Sequence, residues 1–287
     1  LTVESPQIVS KLFNLSLVAK NARGATAPNY NRAVNLSPVA VAPADISRGI
    51  LSPAAVSGTA FNNGIAAVSL SYNLYGTIKI KATDSGDTQK QGISSDVTFL
   101  PKGVSLSVEP PPGSRDFFYL GEPIAINVKV GDELGNAILN YPGTLELSSN
   151  FGLNLPPAYT FTNVDAGQHR FLATSIQAGD YIVVAAVEGG SLRTESPRIT
   201  VKNVTIQVVD TTSPIGTGEV IIQLVDELGN VITSENNLTF VIKLVEDIDN
   251  NSAYLSSDLI SLFEGKAVLP ILDTEAELVT LIPVSPF

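Results

Sequence analysis

The residues best suited to chemistry in this 287-residue chain are carboxylates. Two clusters stand out, Asp84-Ser-Gly-Asp87 and Glu246-Asp-Ile-Asp-Asn-Asn251. Asp84 with Asp87, and Glu246, Asp247 and Asp249 with their neighbouring amides, crowd hard oxygen donors together, and a bound Ca²⁺ would relieve their repulsion. Neither cluster has the EF-hand spacing, and solvated polar loops between strands are the favoured reading of both. Two further acidic pairs, Asp132-Glu133 and Asp226-Glu227, lie in a pentapeptide Asp-Glu-Leu-Gly-Asn that occurs twice. Calcium takes ~6–8 oxygens, more than such a pair supplies. Turn chemistry explains every residue of the pentapeptide: Gly135 and Gly229 take the left-handed conformation, and Asp132, Asn136, Asp226 and Asn230 bond nearby main-chain groups. Calcium is the one cofactor left open, and no other is implied.

Other chemistry is constrained more tightly. There is no Cys, which excludes disulfides, thiolate metal sites and cysteine nucleophiles. His169 is the only histidine, so a multi-His metal site is excluded and a catalytic triad would have to use this residue. It sits in Gly167-Gln-His-Arg-Phe171, expected as an exposed strand position, and no Gly-x-Ser-x-Gly nucleophile elbow occurs. With Trp absent as well, carboxylate-based glycoside hydrolysis lacks its usual stacking platform. The expectation is a protein that is not an enzyme.

Acidic residues outnumber basic ones 28 to 17, a net charge of -11 spread along the chain. That field repels nucleic acid and anionic lipid surfaces. The partners expected are copies of the same chain or other surface proteins, with a glycan ligand as an alternative. Tyr72, Tyr75, Phe117, Phe118 and Tyr119 are the aromatics that such a ligand would need on a concave patch. Phe117-Phe-Tyr119 also reads as core and strand-edge packing, because adjacent strand residues point to opposite faces. No apolar run reaches the ~20 residues of a membrane-spanning helix. Met is absent, so Leu1 is not a translation start, and we expect a mature secreted or cell-surface chain whose export signal has been removed.

The elements that must position these residues are strands. Hydrophobic residues make up 44% of the chain, enough to fill cores. They alternate or cluster over short β-branched runs such as Gly76–Ala82, Ile124–Val130, Tyr181–Val187 and Leu238–Leu244, bounded by Gly, Pro, Asn and Asp. The class is all-β, and turn signals roughly every ten residues favour tandem antiparallel immunoglobulin-like sandwiches over a closed barrel. Ile124–Ile138 returns as Val220–Ile232, and Phe13–Ala25 is a looser copy. Aligning the copies predicts three modules, 1–102, 103–202 and 203–287, with junctions too short to act as flexible linkers.

The alternating strand followed by Asp-x-x-Gly-Asn resembles the bacterial immunoglobulin-like modules found in tandem in invasin- and intimin-type surface proteins. The resemblance extends loosely over nearly the whole chain. It implies architecture, because such modules serve as stalks, adhesin tips, filament subunits and enzyme appendages. The first module departs from it most: Asn21-Ala-Arg-Gly-Ala25 lacks the acidic pair.

The chain ends supply a further expectation. The third module lacks a counterpart to the second module's last strand, while Glu4–Lys11 matches Glu195–Lys202 at Glu, Ser, Pro, Ile and Lys. An open sheet edge invites strand addition. Glu4, Pro6, Ile8 and Val9 would then belong to an assembly strand donated to the third module of a neighbour, building a head-to-tail filament. Alternatively this segment is the first strand of its own module, or the chain is a piece of a longer array. The functional expectation is an extracellular structural protein, a stalk or filament subunit. An adhesin segment or the carbohydrate-binding appendage of a secreted enzyme is the alternative.

Overall fold

The computed structural model describes residues 1–43, 48–111, 115–209, 216–236, 238–246, 253–255, 257–273 and 279–284. Among the described residues the regular structure is strands and short 3₁₀ turns, and no helix is long and apolar enough to cross a membrane. Asp247 and Asp249 lie outside the described residues; Glu246 ends a strand.

The first module contains β1 (Thr2–Val3), β2 (Gln7–Ile8), β3 (Phe13–Val18), β4 (Val34–Ala42), β5 (Leu51–Ser52), β6 (Ala55–Val56), β7 (Ile65–Tyr72), β8 (Gly76–Asp84), β9 (Gln91–Ile93) and β10 (Val97–Leu100). One sheet runs β1-β3-β7-β5 and the other β2-β10-β8-β4-β6, with β9 also paired to β8. In the second module come β11 (Gly103–Val108), β12 (Phe118–Tyr119), β13 (Ile124–Gly131), β14 (Thr144–Ser149), β15 (Leu153–Asn154), β16 (Tyr159–Thr160), β17 (Gln168–Ser175), β18 (Gly179–Tyr181), β19 (Val183–Val187), β20 (Leu192–Glu195) and β21 (Ile199–Lys202). Here β11-β13-β17-β15 faces a second layer built from β16-β14-β19-β20 and β12-β21-β18. The third has β22 (Thr205–Val209), β23 (Gly216–Val225), β24 (Thr239–Glu246), β25 (Ala253–Leu255), β26 (Leu259–Ser261), β27 (Lys266–Asp273) and β28 (Val279–Val284), paired as β22-β23-β27-β25 and β26-β24-β28.

Each module thus pairs its first, second, fifth and fourth main strands in one sheet and its third and sixth in the other, which is the immunoglobulin order. A second mark of that fold is Tyr181, at the start of the sixth strand of the second module. Its hydroxyl donates to the Gln177 carbonyl four residues upstream, as a tyrosine corner does. Inward positions alternate with outward ones, as in Gly76–Asp84, where every second residue is buried.

Within this chain the N-terminal segment pairs with its own module. β1 pairs antiparallel with β3, and β2 pairs parallel with β10. Val9 is fully buried and its N–H reaches the Leu100 carbonyl at 3.0 Å. Thus Ile8 lies in a strand of its own module and Val9 is buried in the turn after it, while Glu4 and Pro6 are exposed in the link between β1 and β2. Among the described residues, β24 is the one strand paired with β28.

A glycine recurs just before the fifth strand of all three modules. Gly64, Gly167 and Gly265 have φ of 76°, 72° and 72°, and a Cβ on them would lie 2.4, 2.4 and 2.3 Å from the carbonyl oxygens of Ala27, Ile138 and Ile232. Both φ and space therefore require glycine. Gly167→Ala should lower stability by about 3 kcal/mol or more. Gly135→Ala, at φ 80° with nothing within 4 Å of its Cβ position, should cost only about 1 kcal/mol. Thermal or urea denaturation of the two variants measures the difference.

Candidate functional site

The repeated pentapeptide is a side-chain-braced turn. Oδ1 of Asp132 accepts the N–H groups of Leu134 and Asn136 at 2.9 and 2.8 Å, and Oδ1 of Asp226 accepts those of Leu228 and Asn230 at the same distances. The turn closes through Gly135 N–H to Asp132 O and Gly229 N–H to Asp226 O. In the first module Asn21 does the same work, its Oδ1 accepting from Arg23 and Ala25. The departure there is therefore one of charge only. Asp226 titrates below the ordinary carboxylate range, chiefly because the Asn230 backbone N–H bonds its charged form.

Asp84 is likewise engaged within its own module. Oδ2 accepts the Tyr30 hydroxyl at 2.8 Å, Oδ1 accepts the N–H groups of Gly86 and Asp87, and Arg32 lies at 3.7 Å. Burial alone would raise this carboxyl, but the Gly86 N–H, the Tyr30 hydroxyl and the Arg32 charge together hold it low. The same contact and burial push Tyr30 up to about 12. Asp87 turns instead to Lys90 at 3.1 Å. Among the described residues no three His, Cys, Asp or Glu side chains converge as a metal set. His169 stacks on Tyr159 at 3.8 Å and bonds Asp165 at 3.0 Å, half-buried rather than fully exposed.

The aromatics considered for a ligand patch are taken up by cores and by the contacts between modules. Tyr72 is buried against Phe99, and Phe118 faces the core of its own module. Tyr75 and Tyr141 meet edge to face at 5.2 Å across the first junction. There the Asn140 side chain accepts the Tyr75 N–H and donates to the Tyr75 carbonyl, while the Glu133 N–H donates to Val9 O.

The second junction is built on a charge cluster. Phe117 and Tyr119 point away from Phe118 and belong to the hydrophobic core of the third module, beside Ile222, Leu224 and Phe240. Arg115 crosses over the Tyr119 ring at 4.1 Å, binds Glu122 through both terminal nitrogens and reaches Glu235 through Nε at 3.1 Å. The Arg115 and Glu235 side chains are only 5% and 3% exposed. Two carboxylates share this guanidinium, and further hydrogen bonds hold them in place. Glu235 accepts the Tyr119 hydroxyl and the Leu238 N–H, and Glu122 accepts the Tyr119 N–H. Burial and the Glu235 carboxylate drive the Tyr119 hydroxyl well above its ordinary range.

Arg115, Glu122, Asn140 and Glu235 were not among the sequence candidates. One signal for Glu235 was present: counted from the matching bridges Gly131–Ala137 and Val225–Val231, it occupies the place of Tyr141. Replacing Asp132 by Ala should cost about 1–2 kcal/mol through the loss of two N–H acceptors. Asp132→Asn should retain most of that stability, as Asn21 does in the first module. Melting with calcium or with chelator should give the same midpoint for the unmodified chain, and a calcium-dependent rise would reopen the metal reading.

No family model matches the chain, and no curated protein matches it. Solved structures do. One is FdeC, described as a broadly conserved Escherichia coli adhesin, at 16% identity over 98% of this chain and 89% of that one, with TM-score 0.45. Another is invasin, described as a bacterial integrin-binding protein, at 14% identity over 98% and 55%, with TM-score 0.40. Domains 4–9 of the surface-layer protein SbsC match at 15% identity over 97% and 42%, with TM-score 0.26. At these values the immunoglobulin-like assignment rests on this chain's own strand order and on its tyrosine corner.

Proposed function

We propose that this chain is a non-enzymatic extracellular structural protein, a segment of a cell-surface stalk or filament that holds its modules in a fixed line. The observation that carries the reading is the construction of the junctions. β10 ends at Leu100 and β11 begins at Gly103; β21 ends at Lys202 and β22 begins at Thr205. Each join is two residues long and braced on its sides by the Tyr75–Tyr141–Asn140 contacts and the Arg115–Glu235–Tyr119 cluster. Flexible tethers between independent binding domains have neither feature. The acidic, cysteine-free composition suits a soluble outer-surface chain stabilised by packing.

Two experiments test this. Immunogold labelling of intact source cells with antibodies against the purified chain should decorate the exterior, and label confined to lysed cells would overturn the extracellular reading. Glu235→Ala should destabilise the third module by about 1–3 kcal/mol, because it removes the acceptor of the buried Tyr119 hydroxyl and of the Leu238 N–H while Arg115 stays paired with Glu122. Calorimetry would show this as a separate early transition. A variant that melts as the unmodified chain does would show that the junction contributes nothing to holding the modules in line.

A further inference from the structure

The outward faces of the three first sheets can be compared row by row because they share one register. In the first module a row across β1, β3 and β7 reads Thr2, Ser16, Ala67. The corresponding row in the second, across β11, β13 and β17, reads Ser107, Asn127, Arg170. Both suit a sheet face turned to water, and Arg170 and Asn127 are tied to Glu109 there. In the third module the same row, across β22, β23 and β27, reads Val209, Ile221, Val268. All three are β-branched and apolar.

The patch continues along β27 on the same side, through Pro270 to Leu272. Val268 is 56% exposed and Leu272 41% exposed, while Val209 and Ile221 are half-buried. One neighbouring row, Gln207, Gln223 and Lys266, is polar and carries a positive charge; the other places Glu219 beside Pro270. Read along the strands, these three rows are therefore positive, apolar and negative, with Leu272 beyond the Glu219–Pro270 row.

That order is self-complementary. We propose that this face is a homodimer contact: the third modules of two antiparallel copies pack sheet to sheet about a two-fold axis through the Val209–Ile221–Val268 row. Each Lys266 then meets the Glu219 of the other copy. With a net charge of -11 per chain, two copies repel over most of their surfaces, and a neutral patch flanked by opposite charges is where they can approach. An isologous contact of this kind closes at two copies. The patch is small, which places the association at the weak end of specific interfaces.

Sedimentation equilibrium of the full chain from about 1 µM to about 1 mM tests the proposal. A reversible monomer–dimer equilibrium is expected. The double variant Ile221→Asn, Val268→Arg copies the row that the second module folds with, and it should be monomeric throughout. Lys266→Glu leaves the apolar row untouched and should weaken the dimer about tenfold. Adding Glu219→Lys should restore it relative to either single variant. Circular dichroism melts of each variant verify that it is folded. A wild-type chain that is monomeric at every concentration overturns the proposal, as does a dimer indifferent to the double variant. Flotation of the monomer with neutral phosphatidylcholine vesicles, lost in the double variant, would overturn it in favour of a lipid contact.

Discussion

The alternation of three residues, Phe117, Phe118 and Tyr119, decides how the second half of the molecule holds together. A strand turns successive side chains to opposite faces, so β12 gives Phe118 to the second module and Phe117 and Tyr119 to the third. Burying two aromatic side chains contributes about 1.5–3 kcal/mol each. It also carries the Tyr119 hydroxyl into a dry site, where it needs an acceptor. Glu235 supplies that acceptor, Arg115 neutralises Glu235, and Glu122 orients Arg115 while accepting the Tyr119 N–H. The polar cluster is thus a consequence of the aromatic insertion, and its members are needed together.

The first junction answers the same geometrical need with different chemistry. Tyr141 stands where Glu235 stands, and it meets an aromatic of the preceding module ring to ring, where Glu235 meets Tyr119 and Arg115 through its carboxylate. In the first module the corresponding position is Tyr30, which is held by Asp84 within its own module. One site in the repeat has therefore been specialised three times while the Asp or Asn turn before it and the obligatory glycine after it stayed fixed. Conserving the turn conserves the module; varying the following residue sets what the module packs against. Because an aromatic and a carboxylate demand different partners, adjacent modules are matched to one another in order.

Much of this was legible in the sequence. Strand alternation, the Asp-Glu-Leu-Gly-Asn turn and the opposite facing of Phe117, Phe118 and Tyr119 are local properties, fixed by residues a few positions apart. The junction cluster was not legible in the same way, since Arg115 and Glu235 come from different modules and nothing local marks them as partners. The match between Glu4-Ser-Pro and Glu195-Ser-Pro suggested that the N-terminal segment imitates a last strand. Its physical basis is narrower. Ser5 Oγ accepts the Thr98 N–H and Ser196 Oγ accepts the Val183 N–H, so both serines brace the entry to a strand, at two different places in the sandwich. The carboxylate cluster at Asp84 was visible as chemistry, but its engagement by Tyr30 and Arg32 depends on long-range pairing of β4 with β8.

The central claim is that both junctions are fixed joints. The absence of cysteine allows spin labels to be placed without background, at Ser37→Cys in the first module, Glu146→Cys in the second and Ser261→Cys in the third. Pulsed electron–electron double resonance between the first and second labels, and between the second and third, would measure the joints directly. Fixed joints predict one narrow distance distribution for each pair, with the second broadening when Glu235 is replaced by Ala. Broad distributions in the otherwise unmodified chain would contradict the claim and return the three modules to the status of beads on a string.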